Sequence, residues 1–272
     1  NGEKIEYQKL LYAAGSKPFI PPIAGLEQVE KKFTFMSLDD ALALEQAVNN
    51  QTRVLIMGAG LIGLKCAEGL YGRAGSITVV DLADRVLPSI LDEQSASIML
   101  EHLKAKGINV RLNAGVKAFT SEGADIGSEI IPFDVLVVAV GVRPNVELLK
   151  EAGADCERGI IADDRSRTSL KDIYAAGDCT QCRDISCGKS KVLALLPNAY
   201  MQGETAGRNM AGGEAQFDKA VPMNSMGVLG LHMVTCGTYD GQSLVFNKDG
   251  TYKRLCVKDG LLAGYIIMGD VS

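Results

Sequence analysis

Tryptophan is missing from this chain, and histidine occurs only twice, at the widely separated His102 and His232. A structural zinc needs four nitrogen or sulfur ligands close together, so no metal centre is expected. Aromatic residues make up 6% of the chain and the net charge is −5. A nucleic-acid binder would need a basic face, and none is expected here. No apolar run approaches the roughly 20 residues that cross a bilayer, and no secretory leader pattern opens the sequence. Neither nucleic acid nor membrane is therefore an expected partner. The seven cysteines (66, 156, 179, 182, 187, 236 and 256) are odd in number and scattered. They do not frame a small secreted scaffold, so a reducing cytoplasm is expected. Within that set, Cys179-x2-Cys182-x4-Cys187 has no second Cys-x2-Cys and no neighbouring histidine, and reads as free thiols in a loop.

What the chain has in quantity is glycine, 30 residues of it, within a composition that is 47% hydrophobic and 22% charged. That balance suits an ordinary globular protein with a sizeable core. The most informative stretch is Arg53-Val-Leu-Ile-Met-Gly-Ala-Gly-Leu-Ile-Gly-Leu-Lys65. Residues 54–57 read as a buried parallel strand, and a helix is expected over 61–74. Between them, Gly58 permits the tight turn, Gly60 lets backbone approach a pyrophosphate, and Gly63 lets the helix pack on the strand. The free N–H groups of the new helix, at Leu61 and Ile62, would face phosphate oxygens. A lone glycine pattern is weak, because a glycine-rich turn can bind nothing. Here a second strand over 77–81 ends in Asp81, 18 positions after Gly63, where a carboxylate can accept from an adenosine ribose. Asp81 favours NADH over NADPH by repelling a 2′-phosphate, and Arg85 softens that preference.

The surrounding chain alternates strands and helices. A strand is expected over 7–15, and Pro18, Pro21 and Pro22 make 16–25 an extended connector. Ser37 should cap a helix over 37–48, and Asp92 one over 93–106 that Gly107 ends. Strands are expected at 108–112, 115–121, 129–132 and 133–140, the last ending at Gly141. A short helix at 146–152, strand signals at 159–162 and 168–178, and a helix over 198–210 follow. After Gly213 the pattern is all β, with strands at 228–235, 243–246, 252–258 and 261–268 and hairpin turns at Asp249-Gly250 and Asp259-Gly260. The chain opens without Met at Asn1-Gly2 and stops soon after an apolar strand. Boundaries usually fall in polar linkers, so a piece of a longer protein is expected.

With both glycine units in view, the chain resembles the pyridine nucleotide-disulfide oxidoreductase superfamily, the flavoprotein reductases with two dinucleotide sites. The resemblance rests on Ala13-Ala-Gly-Ser16 with the proline-rich run, on the turn 58–63 with Asp81, on Val140-Gly-Val-Arg-Pro-Asn145, and on Thr168 to Asp178. It implies an α/β fold of Rossmann-like, three-layer ββα FAD/NAD(P)-binding domains plus a partial α+β C-terminal domain. Residues 1–34 with 144–215 would be a partial FAD-binding domain, 35–143 the NAD(H)-binding domain, and 216–272 the start of an interface domain. The cofactor-binding residues would be Gly58, Gly60, Leu61, Ile62, Gly63, Asp81 and Arg85 for NAD(H), Gly141 at the return crossing into the flavin domain, and Gly15 and Asp178 for FAD. The first glycine fingerprint of the family, which holds the ADP half of FAD, has no counterpart in these residues. Lys65 stands where disulfide reductases carry Glu, as in the branch of nitrite reductase flavin domains, rubredoxin reductases and NADH oxidase-like proteins. Its ammonium either faces an anionic cofactor or is a solvated surface group. The implied activity is NADH:acceptor oxidoreduction through FAD, to a protein, a metal centre or a small molecule, in a homo-oligomer. The alternatives are an NADH oxidase or peroxidase, a CoA-disulfide reductase, or an NAD(H)-binding module without turnover. No side-chain acid, base or nucleophile is nominated, since hydride transfer belongs to the cofactors.

Overall fold

Five parallel strands lie at the centre, in the order Lys32–Phe33, Val135–Val138, Arg53–Met57, Ser76–Val80 and Asn109–Arg111. The computed structural model describes residues 2–248 and 250–271. The apolar runs are continuous because both faces of this sheet are covered. Val54, Ile56, Val135 and Val137 turn to one side and pack with Leu64, Cys66 and Ala67 of helix Leu61–Leu70 and with Met99 and Leu103 of helix Glu93–Ala105. Leu55, Met57, Leu136 and Val138 turn to the other side and meet Phe119, Ala124 and Ile131. Those residues belong to a three-stranded antiparallel sheet of Ala118–Thr120, Gly123–Asp125 and Ile130–Ile131. Strand, sheet and helix thus form the expected ββα sandwich, with Gly123–Asp125 as a further strand between the expected ones at 115–121 and 129–132.

Helix ends follow local chemistry. Ser37 and Asp40 make a reciprocal capping box at the start of helix Leu38–Ala47, and Asp92 accepts from the Ser95 N–H at 2.9 Å. The helix after the glycine turn ends at Leu70 rather than running to 74, and Gly72 takes a left-handed φ of +75° just beyond it.

The remaining elements flank this sandwich. Leu10–Tyr12 pairs in parallel with Ile173–Ala175. Ser16–Pro18 pairs antiparallel with Val142–Pro144, so the expected connector is a strand at its start. Proline is tolerated there because the pair is an isolated two-stranded ribbon. Helix Leu196–Met210 has Pro197 in its first turn. A five-stranded antiparallel sheet follows, in the order Met223–Val228, Leu231–Gly237, Leu261–Met268, Thr251–Lys258 and Gln242–Lys248. The single strand expected over 228–235 is two, broken by Leu229 (φ 51°) and Gly230 (φ 90°). An apolar Leu in a left-handed turn position hides the hairpin from sequence reading. Asp259 and Gly260 form one of the two expected turns, with φ of 52° and 77°. Of the other, Asp249-Gly250, Asp249 lies outside the described residues, as does Asn1 of the opening Asn-Gly.

This sheet does not stand apart. Val228, Met233, Tyr252, Ile266 and Met268 share one core cluster with Leu64 and Met99 of the helical layer. Lys65 is the exposed surface group of the two readings, and its ammonium pairs with Glu68 and reaches the Gly227 carbonyl at 3.3 Å. Glu68 in turn accepts from the Leu229 N–H at 2.7 Å. His102 Nε2 lies 3.1 and 3.2 Å from the carbonyls of Val228 and Leu229. Two acceptors require that nitrogen to carry the proton, so His102 is a structural donor. Among the described residues, no helix is long and apolar enough to cross a membrane.

Candidate functional site

The carboxyl ends of the parallel strands bring three sequence features together. Met57 leads into Gly58, Val80 into Asp81, and Val138 into residues 139–141. Gly58 has φ +109°, and a Cβ on it would lie 2.2 Å from the Ala139 carbonyl oxygen. A Cβ on Gly63 would lie 1.9 Å from the Gly58 oxygen. Both positions therefore require glycine on steric grounds alone. Gly60 differs: it is extended, with φ −82° and ψ −172°, and a Cβ there would meet nothing within 4 Å. It caps helix Leu61–Leu70 without a side-chain acceptor, so no capping side chain meets the first-turn N–H groups at half-buried Leu61 and Ile62, where the helix dipole is positive.

Asp81 is held close to that turn. Its Oδ2 accepts from the Ala59 N–H at 2.6 Å and its Oδ1 from the Ala83 N–H at 2.8 Å. The loop beyond it returns to the same peptide, where the Leu87 N–H donates to the Ala59 oxygen at 2.9 Å. Arg85 sits in this loop with Nη1 3.3 Å from Asp84 and with Nε buried and unpartnered. Gly141, exposed and with φ +108°, also borders open space.

Gly15 and Asp178 meet elsewhere. Ser16 Oγ donates to Asp178 Oδ2 at 3.2 Å. Gly15, with φ +64°, accepts from the Asn145 N–H at 3.0 Å, and Asn145 Nδ2 donates to the Ala14 oxygen at 2.8 Å. The Gly177 N–H donates to Gln202 Oε1 at 2.6 Å, which also accepts from Thr180 Oγ1. Ser16, Asn145 and Gln202 were not singled out from sequence as site residues. Asn145 carried a signal as the last residue of the Val-Gly-Val-Arg-Pro-Asn run, whereas Gln202, 25 residues from Gly177, carried none.

The ribbon between the two groups ties them together. At one end the Phe19 N–H donates to the Gly141 oxygen at 2.9 Å, and at the other Asn145 bonds Gly15. Four strand steps separate these ends, roughly 13 Å at 3.3 Å per residue. The thiols nearby are poorly suited to nucleophilic work. Cys179 is fully buried, and burial pushes its thiol up despite the backbone groups around it. Burial pushes Cys182 up to about 11 and Cys66 up to about 12. Protonated thiols are weak nucleophiles.

Comparison with known proteins agrees with this geometry. Residues 1–203 match the family "Pyridine nucleotide-disulphide oxidoreductase". The chain is 32% identical over 278 residues to the NADH-dependent phenylglyoxylate dehydrogenase subunit epsilon of Aromatoleum evansii, covering 97% of this chain and 66% of that one. It is 35% identical over 226 residues to an NADH oxidase of Methanocaldococcus jannaschii, covering 80% and 50%. Among solved structures, a NAD-dependent persulfide reductase from A. fulgidus superimposes with a TM-score of 0.90 at 29% identity, covering 99% of this chain and 55% of that one. The chain thus spans half to two thirds of the length of these relatives. With the ββα sandwich, the glycine turn and the family match all in place, this chain belongs to the pyridine nucleotide-disulphide oxidoreductase family.

Proposed function

We propose that this chain is the nicotinamide-nucleotide-binding part, with a portion of the flavin-binding part, of an NADH:acceptor oxidoreductase. The observation that carries this reading is the ribbon Ser16–Pro18 and Val142–Pro144, which holds Gly141 at one end and Gly15 with Asp178 at the other. Cofactors held from those two ends would extend toward each other over the ribbon, bringing their rings within the roughly 3–3.5 Å that direct transfer needs. Residues 35–143 hold NAD(H): pyrophosphate on the N–H groups of Gly60, Leu61 and Ile62, ribose on Asp81, adenosine beside Arg85, nicotinamide near Gly141. Residues 1–34 and 144–215 hold part of FAD, through Gly15 and Asp178, and 216–272 begin an interface domain. The open space at Gly60 and Gly141 fits such a ligand, since a close backbone approach needs no Cβ in the way.

When bound, the two cofactors supply the redox chemistry themselves, a hydride passing from nicotinamide to flavin. The chain's contribution is to bind and orient. Helix Leu61–Leu70 sets the anion, Asp81 selects the unphosphorylated ribose by charge, and the rigid ribbon fixes the distance between sites. The acceptor would be a partner protein, a metal centre or a small molecule. The test is a calorimetric titration with NADH of the wild-type chain and of Gly60→Val. That valine projects into open space, so the variant folds, but it fills the volume a pyrophosphate needs. Absence of NADH binding by the wild type, or normal affinity in a folded Gly60→Val, refutes the assignment.

A further inference from the structure

The hydrogen bonds of Asp81 point to a second task for this residue. Ala59, the middle residue of the Gly58-Ala59-Gly60 turn, is fully buried. Its N–H is spent on Asp81 Oδ2 at 2.6 Å and its carbonyl on the Leu87 N–H at 2.9 Å. The other Asp81 oxygen takes the Ala83 N–H at 2.8 Å. The backbone of Asp81 is fixed as well: its N–H donates to the Arg111 oxygen at 2.9 Å and its oxygen accepts from the Ala114 N–H at 2.8 Å. One carboxylate, anchored on the sheet, therefore pins the turn on one side and the returning loop on the other. We infer that Asp81 is a positioning residue for the pyrophosphate turn, holding the Ala59 peptide so that the N–H groups of Gly60, Leu61 and Ile62 stay aimed at the anion, in addition to accepting from the ribose.

The inference rests on the NADH reading above and makes a claim which that reading alone does not. Each carboxylate oxygen has lone pairs to spare after one N–H bond, so ribose hydroxyls can share Asp81 with the turn. If Asp81 acted through the ribose alone, removing it would leave unchanged, or strengthen, the binding of a nucleotide lacking ribose hydroxyls. A negative charge beside a dianion would have gone. If Asp81 holds the turn, its removal frees a buried N–H, loosens the anion site and weakens that same nucleotide.

The experiment compares the wild-type chain with Asp81→Ala and Asp81→Asn, titrating each with NADH and with 2′,3′-dideoxyadenosine diphosphate. The melting temperature is recorded alongside. With the fold retained, both ligands are expected to lose roughly tenfold or more in affinity in Asp81→Ala, the worth of a hydrogen bond to a charged group. Asp81→Asn, which keeps one acceptor oxygen, should lose less. Lost NADH affinity with unchanged or improved dideoxynucleotide affinity overturns the inference while leaving the NADH assignment intact. No NADH binding by the wild type overturns both. Should neither variant fold, hydrogen exchange at the Ala59 amide of the nucleotide-free wild type decides. Protection supports the Asp81 bond, and exchange as fast as an open loop overturns it.

Discussion

Replacing Asp92 should reveal whether the parallel-sheet layer and the five-stranded antiparallel sheet unfold as one body. Asp92 caps helix Glu93–Ala105 through Oδ1, which accepts from Ser95 N at 2.9 Å and Ser95 Oγ at 2.6 Å. Its Oδ2 reaches across to the sheet, accepting from Tyr252 Oη at 2.5 Å and Arg254 Nη1 at 2.9 Å. The Asp92 and Arg254 side chains are 14% and 20% exposed, so solvent screens the pair little. Asp92→Ala removes a cap, typically about 1 kcal/mol, and leaves a buried phenol and a guanidinium without their acceptor. Breaking a buried pair from one side costs about 3–5 kcal/mol, within which the cap is counted. Tyr252→Phe alone should cost about 1.5–3 kcal/mol, the range for a bond to a charged group. The double variant should be little worse than Asp92→Ala, since the phenol no longer sits unsatisfied.

Acid gives an independent check on the same carboxylate. Burial pushes the Asp92 carboxyl up, but hydrogen bonds from Ser95, Tyr252 and Arg254 outweigh it and hold the group below the usual range. A carboxyl depressed in the folded state contributes stability above its unfolded pKa and loses it as pH falls through the folded value. The stability gap between wild type and Asp92→Ala, measured by urea unfolding, should therefore narrow between neutral pH and about pH 3. One cooperative transition is expected, because the sheet shares its core with the helices. A penalty below about 1 kcal/mol, less than the cap alone, would refute the clamp. So would a gap independent of pH, or two separate transitions in the wild type.

Two further outcomes test other parts of the molecule. Hydrogen bonds from the side chain and backbone of Arg53 hold the Asp134 carboxyl down to about 2; in Arg53→Met, which keeps the backbone bond, an NMR titration should show it rising toward the ordinary carboxylate range, and a value still near 2 would remove the guanidinium as the cause. Purified as this 272-residue polypeptide, the protein should titrate with NADH yet carry little flavin, because under the proposed division the glycine-rich strand-to-helix turn serves the nicotinamide nucleotide. A preparation with stoichiometric flavin absorbance would contradict that division of the two sites.

Local chemistry made much of the centre legible in the chain itself. Residues 54–57 and 135–138 had to be strands covered on both faces, because every position is apolar and none can face water cheaply. Ser37 and Asp92 announced helix starts, and Gly58 and Gly63 marked a turn that only glycine fits. Those signals lie within a few residues of the structure they specify. Tertiary packing decided the rest. Pro18 entered a strand because Val142–Pro144 came alongside it, and the hairpin at Leu229-Gly230 formed because Glu68, Lys65 and His102 grip its backbone. Neither partner is near in sequence. The reach of Asp81 to Ala59 and of Tyr252 to Asp92 across 160 residues likewise follows from how the layers close. Propensity and spacing fix a segment's own conformation, whereas a hydrogen bond between distant segments exists only once the core has placed both of its ends.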